Sequence, residues 1–197
     1  EAGHAVLASI LPNADPVHKV SIVARGRAGG YTLKLPVEDR RLQSKKEFLD
    51  DIAMSLGGYV AEELIFGDVT TGPSNDLQVS TSLARAMVTR WGMSDAIGPV
   101  ALESDGGKII HGYVDGGKDY SEEMSAVIDR EVKKIMTDSL ELARKTIGEN
   151  KKVLDAIAKK LLEVETLEQD EYNKLIMTFG IKPKKREEGK EAIDIVG

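Results

Sequence analysis

Between Glu1 and Pro12 the chain carries one ionisable side chain, His4, in the otherwise small and apolar run Ala2-Gly3-His4-Ala5-Val6-Leu7-Ala8-Ser9-Ile10-Leu11. A helix that is apolar on nearly every side has to be buried, so the rest of the chain must pack around it. The run reads as a short buried helix, already under way at Glu1 and ended by Pro12, which cannot continue it.

That helix carries chemistry as well as apolar surface. H-E-x-x-H on a helix sets two imidazoles at i and i+4 on one face, where both reach a single Zn²⁺, and the glutamate between them polarises a metal-bound water. Glu1-Ala2-Gly3-His4 supplies the glutamate and the second histidine of such a motif. The first histidine is expected one residue before Glu1. Glu1 is therefore a candidate general base and His4 a candidate ligand. Four residues also fit a core or capping histidine, so the rest of the chain has to decide.

Composition narrows the choices. A length of 197 residues suits one domain with a real core, or one domain and a helical appendage. A net charge of −6, with no basic face interleaved with aromatics, argues against nucleic acid as a partner. Cysteine is absent, so any metal must use His, Asp and Glu. No apolar run reaches the roughly 18 residues of a membrane span, and no signal peptide is visible. A start without Met, inside an apparent helix, leads us to expect a fragment, soluble in itself, whose targeting information lies upstream.

Further along, Val17–Ala24 and Tyr31–Leu35 alternate as strands across the glycine-rich 25–30, which predicts a β-hairpin. Ser44 with Glu47 makes a capping box for a helix that runs into Gly57-Gly58. Helical periodicity resumes at Val60–Ile65 and stops at Gly67. The turn-rich Thr70–Asp76 opens a helix with a buried stripe of Leu77, Leu83, Ala84, Met87, Val88 and Trp91. Residues 98–119 are glycine-rich and read as irregular. Ser121–Gly148 and Asn150–Glu163 read as helices, and Thr166 with Gln169 as a capping box for a last one, ending at Gly180. We place one domain at 1–180, with 121–180 its helical C-terminal half, and a disordered tail at 181–197.

Taken together, E-A-G-H-A at 1–5, V-H-K-V-S-I at 17–22, G-R-A-G-G-Y-T at 26–32, L-G-G-Y-V-A-E-E-L-I-F-G at 56–67, T-T-G-P-S-N-D-L at 70–77 and A-R-A-M-V-T-R-W-G-M-S at 84–94 resemble the peptidase domain of the FtsH family of membrane-anchored, ATP-dependent zinc metalloproteases. The likeness covers roughly residues 1–180. It implies a mainly α (α+β), zincin-like helical peptidase domain, with a small β-hairpin or sheet beside the active helix. It also implies Zn²⁺ held by His4, Asp76 and the histidine expected before Glu1, with Glu1 as general base. Polypeptide substrates and a hexameric homo-oligomer follow from it. So does a parent attached to the membrane by upstream segments, with its peptidase domain in the cytoplasm. ATP and Mg²⁺ would serve only the parent's ATPase domain, since no G-x-x-x-x-G-K-[ST] occurs here.

Read from the residues alone, Asp76 also fits a plain helix-N-terminal acid. Glu62 and Glu63 are rival ligands or partners of one. Adjacent helix positions do not share a face, so one of them is expected to point inward and accept the other N–H of a ligand histidine. His18 is expected to be structural and His111 exposed. The Arg25–Tyr31 connection suits either a flexible turn or an exposed strand edge beside the metal. Gly29, Gly30, Tyr31 and Thr32 are then the substrate-binding candidates, because extended polypeptides add to sheet edges. With its first histidine missing, a fragment starting at Glu1 is expected to bind zinc weakly and cleave little. The competing reading is a catalytically dead zincin-like module serving oligomerisation or scaffolding.

Overall fold

The apolar run forms α1 (Ala2–Ile10), and Leu11 leaves helical geometry just before Pro12. The computed structural model describes residues 1–24, 29–35, 42–103, 109–110, 113–114 and 120–184, with 109–110 and 113–114 as backbone alone. After α1 come β1 (Val17–Ser21), β2 (Tyr31–Lys34), α2 (Lys45–Ser55), α3 (Gly57–Phe66) and α4 (Ser74–Thr89). The short β3 (Ile109–Ile110) and β4 (Tyr113–Val114) pair with each other. Then follow α5 (Glu122–Glu149), α6 (Lys151–Val164), β5 (Thr166–Glu168) and α7 (Gln169–Met177). The protein is mainly helical with a small antiparallel sheet, the fold class expected.

α1 is the hub. It packs on α2, α3, α5, α6 and β1, and Ala5, Val6, Leu7 and Ala8 are fully buried. Burying Val6 and Leu7 contributes roughly 1.5–3 kcal/mol each. Its closest neighbour is α3, where two glycines meet: a Cβ on Gly3 would lie 2.1 Å from the Gly57 carbonyl oxygen. α7 is tied to the same helix by Tyr172, whose hydroxyl donates to the Ala5 carbonyl at 2.7 Å. The phenol's one proton is used there, so Ser9, 2.6 Å away, donates to the tyrosine oxygen. Burial pushes the Tyr172 phenol well above its usual range, so it remains a neutral donor.

The end of α1 is closed by a residue from the far end of the chain. Lys184 Nζ donates to the carbonyl of Ala8 in the last turn of α1 and to those of Leu11 and Ala14 in the turn that follows. Burial pushes this ammonium down to about 8, against the pull of Asp50 and Asp15. Three acceptors need three protons, so the charged form is the one the cluster satisfies fully. Residues 181–184 thus continue the folded body beyond the expected boundary at 180, and Ile181 packs against the core. The remainder of the expected disordered tail, 185–197, lies outside the described residues.

The larger sheet has the order β2-β1-β5. β1 ends at Ser21, short of the expected Ala24. A bulge between Val17 and Lys19 breaks its alternation, so that Val17 and Val20 are both buried. The third strand corrects the sequence reading. Thr166 caps no helix; it pairs with Ser21 across β5 and β1, and their hydroxyls stand 2.8 Å apart. Glu165, in left-handed geometry at φ 59°, ends α6 and turns the chain into the sheet, and α7 begins only at Gln169. The capping signal was local, whereas the competing partner, β1, lies far back in the chain.

Other expectations hold in part. The Ser44–Glu47 capping box is present in both directions. Trp91 does not join the buried stripe of α4: it is 45% exposed and stacks on Phe48, with centroids 4.7 Å apart. In the glycine-rich segment, Leu102 and Glu103 are tied through their N–H groups to the carbonyl of buried Thr89. Residues 104–108, 111–112 (with His111) and 115–119 lie outside the described residues.

Candidate functional site

Glu1 and His4 open onto a cleft of about 890 Å³, shared with Gly29–Thr32 at the hairpin, Met54 and Ser55 at the end of α2, and Thr71, Gly72, Ser74–Asp76 and Gln78 around the start of α4. The fold therefore gathers residues from four separate stretches of sequence.

His4 projects from the first turn of α1. Its Nδ1 lies 2.9 Å from the Met54 carbonyl oxygen. A carbonyl only accepts, so Nδ1 carries the proton and Nε2 is left with its lone pair. Gly58 of α3 makes room for the ring, since a Cβ there would stand 3.0 Å from Nε2. Sequence reasoning expected Glu62 or Glu63 to take the second N–H of the histidine; the Met54 carbonyl takes it instead. The double glycine at 57–58, at the start of a helix, was the signal in the sequence for a close approach.

Asp76 sits in the first turn of α4, where the helix dipole favours a carboxylate. Its Oδ2 is 3.5 Å from His4 Nε2. Two electron-pair donors facing each other at that distance repel unless a cation or a proton stands between them. Two donors each about 2.1 Å from one tetrahedral ion lie about 3.4 Å apart. The pair therefore fits a small divalent cation that favours nitrogen and oxygen. It supplies two donors: no group of three or more His, Asp and Glu side chains able to hold a metal occurs among the described residues.

The two acids of α3 go elsewhere. Glu62 accepts from the Thr70 N–H at 2.8 Å and from the Thr70 hydroxyl, while Gly72 N–H donates to that hydroxyl at 3.0 Å. Glu62 thereby holds the loop that leads into α4. Glu63 is gripped by Arg144 of α5 through two hydrogen bonds, Nε–H to Oε2 and Nη2–H to Oε1, both 2.7 Å. The Arg144 hydrogen bond holds the Glu63 carboxyl below the usual carboxylate range, against a smaller effect of burial. As the rule on adjacent positions requires, the two diverge, and neither faces His4.

Glu1 occupies the cap position of α1 without capping it. Its side chain turns to the hairpin, where the Thr32 hydroxyl donates to Oε2 at 2.7 Å. Gly29, Gly30, Tyr31 and Thr32 all line the cleft. Residues 25–28 lie outside the described residues. His18 stands half-buried on β1 and does not line the cleft. The Met54 carbonyl, Gly58 and the Thr32–Glu1 bond were missed by sequence reasoning, because each is a contact between distant segments.

The model of peptidase family M41 matches residues 1–175. The ATP-dependent zinc metalloprotease FtsH of Pseudothermotoga lettingae is 48% identical over 180 residues, which are 90% of this chain and 29% of that protein. FtsH 3 of Petrotoga mobilis, of the same description, is 49% identical over 178 residues, 89% of this chain and 28% of its own length. The FtsH of Bacillus subtilis is 46% identical over 178 residues, again 89% and 28%. The chain thus spans less than a third of these relatives.

Proposed function

This chain belongs to peptidase family M41, and from that premise we propose that it is the proteolytic domain of an ATP-dependent zinc metalloendopeptidase that degrades unfolded or membrane polypeptides. The observation that carries the reading is the pair His4 Nε2 and Asp76 Oδ2, facing each other at 3.5 Å in a cleft that also receives Glu1. His4 and Asp76 would hold the metal, with a third donor in the histidine that the motif sets directly before Glu1. Bound there, zinc would supply a Lewis acid that acidifies water and polarises the scissile carbonyl.

The chain's own residues do the rest. Met54 keeps the His4 tautomer with Nε2 free for ligation. Glu1 is engaged by Thr32 at Oε2, which leaves Oε1 to take a proton from water and return it to the leaving amide nitrogen. Among the described residues β2 pairs with β1 alone, so its outer edge offers backbone groups to an extended polypeptide. Main-chain pairing makes recognition tolerant of sequence, which suits a degradative enzyme. Coupling to ATP, membrane attachment and ring assembly belong to the same proposal for the whole protein. Here no described helix is long and apolar enough to cross a membrane.

The test is zinc content and hydrolysis of an unfolded protein by the full-length parent, with Asp76→Asn as the variant. About one zinc per chain is expected, and Asp76→Asn should lose zinc together with more than about 100-fold of the activity. Zinc retained in the variant would remove Asp76 from the ligand set. A folded parent with neither zinc nor cleavage would favour the scaffold module.

A further inference from the structure

We propose that Thr32 is a positioning residue: its hydroxyl aims the Glu1 carboxylate, and so makes the edge strand β2 part of the alignment of the base. The inference rests on the assignment of Glu1 as that base. Glu1 carries its carboxylate on a side chain with three rotatable bonds, and that side chain makes no cap bond. What restrains it is the hairpin. The Thr32 hydroxyl donates to Oε2 at 2.7 Å. Thr32 is itself fixed by pairing with Val20, a fully buried residue at the centre of the sheet, and its β-branched side chain has few rotamers.

Two residues earlier, on the same face of the chain, Gly30 leaves the space the carboxylate needs. A Cβ at Gly30 would lie 2.6 Å from the Ser21 carbonyl oxygen and 2.8 Å from Glu1 Cγ. One residue of the strand therefore holds the base, and the glycine just before the strand makes room for it. The hydroxyl occupies Oε2, and Oε1 lies beside Gly30, 3.1 Å from where a Cβ there would stand. A polypeptide that adds to the outer edge of β2 stiffens the strand that carries Thr32. Substrate docking and base alignment then share one element, although Thr32 need not touch the reacting bond.

Steady-state hydrolysis by the zinc-loaded, full-length parent tests this, with Thr32→Val removing the hydroxyl at nearly constant shape and Thr32→Ala as a second deletion. Expected are a kcat lower by roughly 10-fold, part of what a positioned general base supplies, KM and zinc content unchanged, and recovery of most of the rate in Thr32→Ser. In a Glu1→Gln background, Thr32→Val should lower the residual rate no further. A full kcat in both deletion variants overturns the proposal. So does a raised KM at constant kcat, which would make Thr32 a substrate contact. Loss of zinc, or an equal loss in the Glu1→Gln background, would reduce Thr32 to a structural residue. Full activity in Glu1→Gln alone would instead overturn the assignment of the base, and this proposal with it.

Discussion

The two walls of the cleft are built by different physics. On the His4 wall the imidazole lies on a buried helix, at 13% side-chain exposure, with a glycine beneath the ring and a backbone carbonyl on Nδ1. On the Asp76 wall the carboxylate is 37% exposed at the start of α4, and the loop before it is held by polar contacts from Glu62 to Thr70. Packing allows little adjustment, because a neighbour displaced by a few tenths of an ångström displaces others. Exposed hydrogen bonds exchange with water at small net cost. One donor is set by the fold, and the other is free to settle around whatever cation the site holds.

The largest effect is expected where packing rules. Gly58→Ala places a Cβ 3.0 Å from His4 Nε2. Zinc affinity of the full-length parent should fall by about 10–100-fold, the range for disturbed metal surroundings. Stability should change by less than about 1 kcal/mol, because alanine favours a helix by a similar amount. A competition titration with a chelator measures the first and urea unfolding the second. Unchanged affinity would mean that the His4 wall yields as readily as the other.

A smaller effect is expected from Glu62→Gln, which weakens the clasp on Thr70 and leaves α4 itself intact. Affinity should drop by at most about 10-fold, with His4 still held by Met54. A loss equal to that of Gly58→Ala would erase the distinction between the walls.

The smallest effect concerns the neighbouring Glu63–Arg144 pair, which ties α3 to α5 away from the metal donors. The folded-state pKa of Glu63 lies below its ordinary value of 4.5. Its contribution to stability is therefore present in full above that value and is lost as pH falls through the lower folded-state pKa. Arg144→Gln should make acid unfolding less steep in that window and leave stability at pH 7 only slightly reduced, since the pair is partly exposed. An unchanged acid limb would show that the pair has no net effect in solution.

Much of the fold was legible because its signals are local. The apolar run of α1, the Ser44–Glu47 box and the periodicity of the helix after Asp76 all survive in the structure. Where local and distant forces disagreed, the distant one won. Thr166 and Gln169 match a capping box, yet Thr166 entered a strand because β1 offered backbone pairing and Ser21 a hydroxyl partner. Trp91 lies past the end of α4 and outside the core, where one face of its ring stacks on Phe48. At the site, Glu1 and His4 were singled out by motif, Asp76 through the family resemblance and Gly29–Thr32 as a strand edge, and the fold brings all of them to one cleft.

What the amino-acid sequence determined by itself is which groups are available: one histidine and one glutamate on a helix that must be buried, an aspartate at a helix start, no thiolates and no phosphate-binding loop. Helix phase and capping follow from neighbours within a few residues, and those are written side by side. Only the tertiary structure decided that a carbonyl, rather than a carboxylate, orients His4, that Glu62 serves a loop and Glu63 an arginine, and that a strand threonine reaches Glu1. All of those contacts but Glu62 to Thr70, which are eight residues apart, close long loops of chain, and their partners are chosen by how whole helices and strands pack rather than by any local pattern.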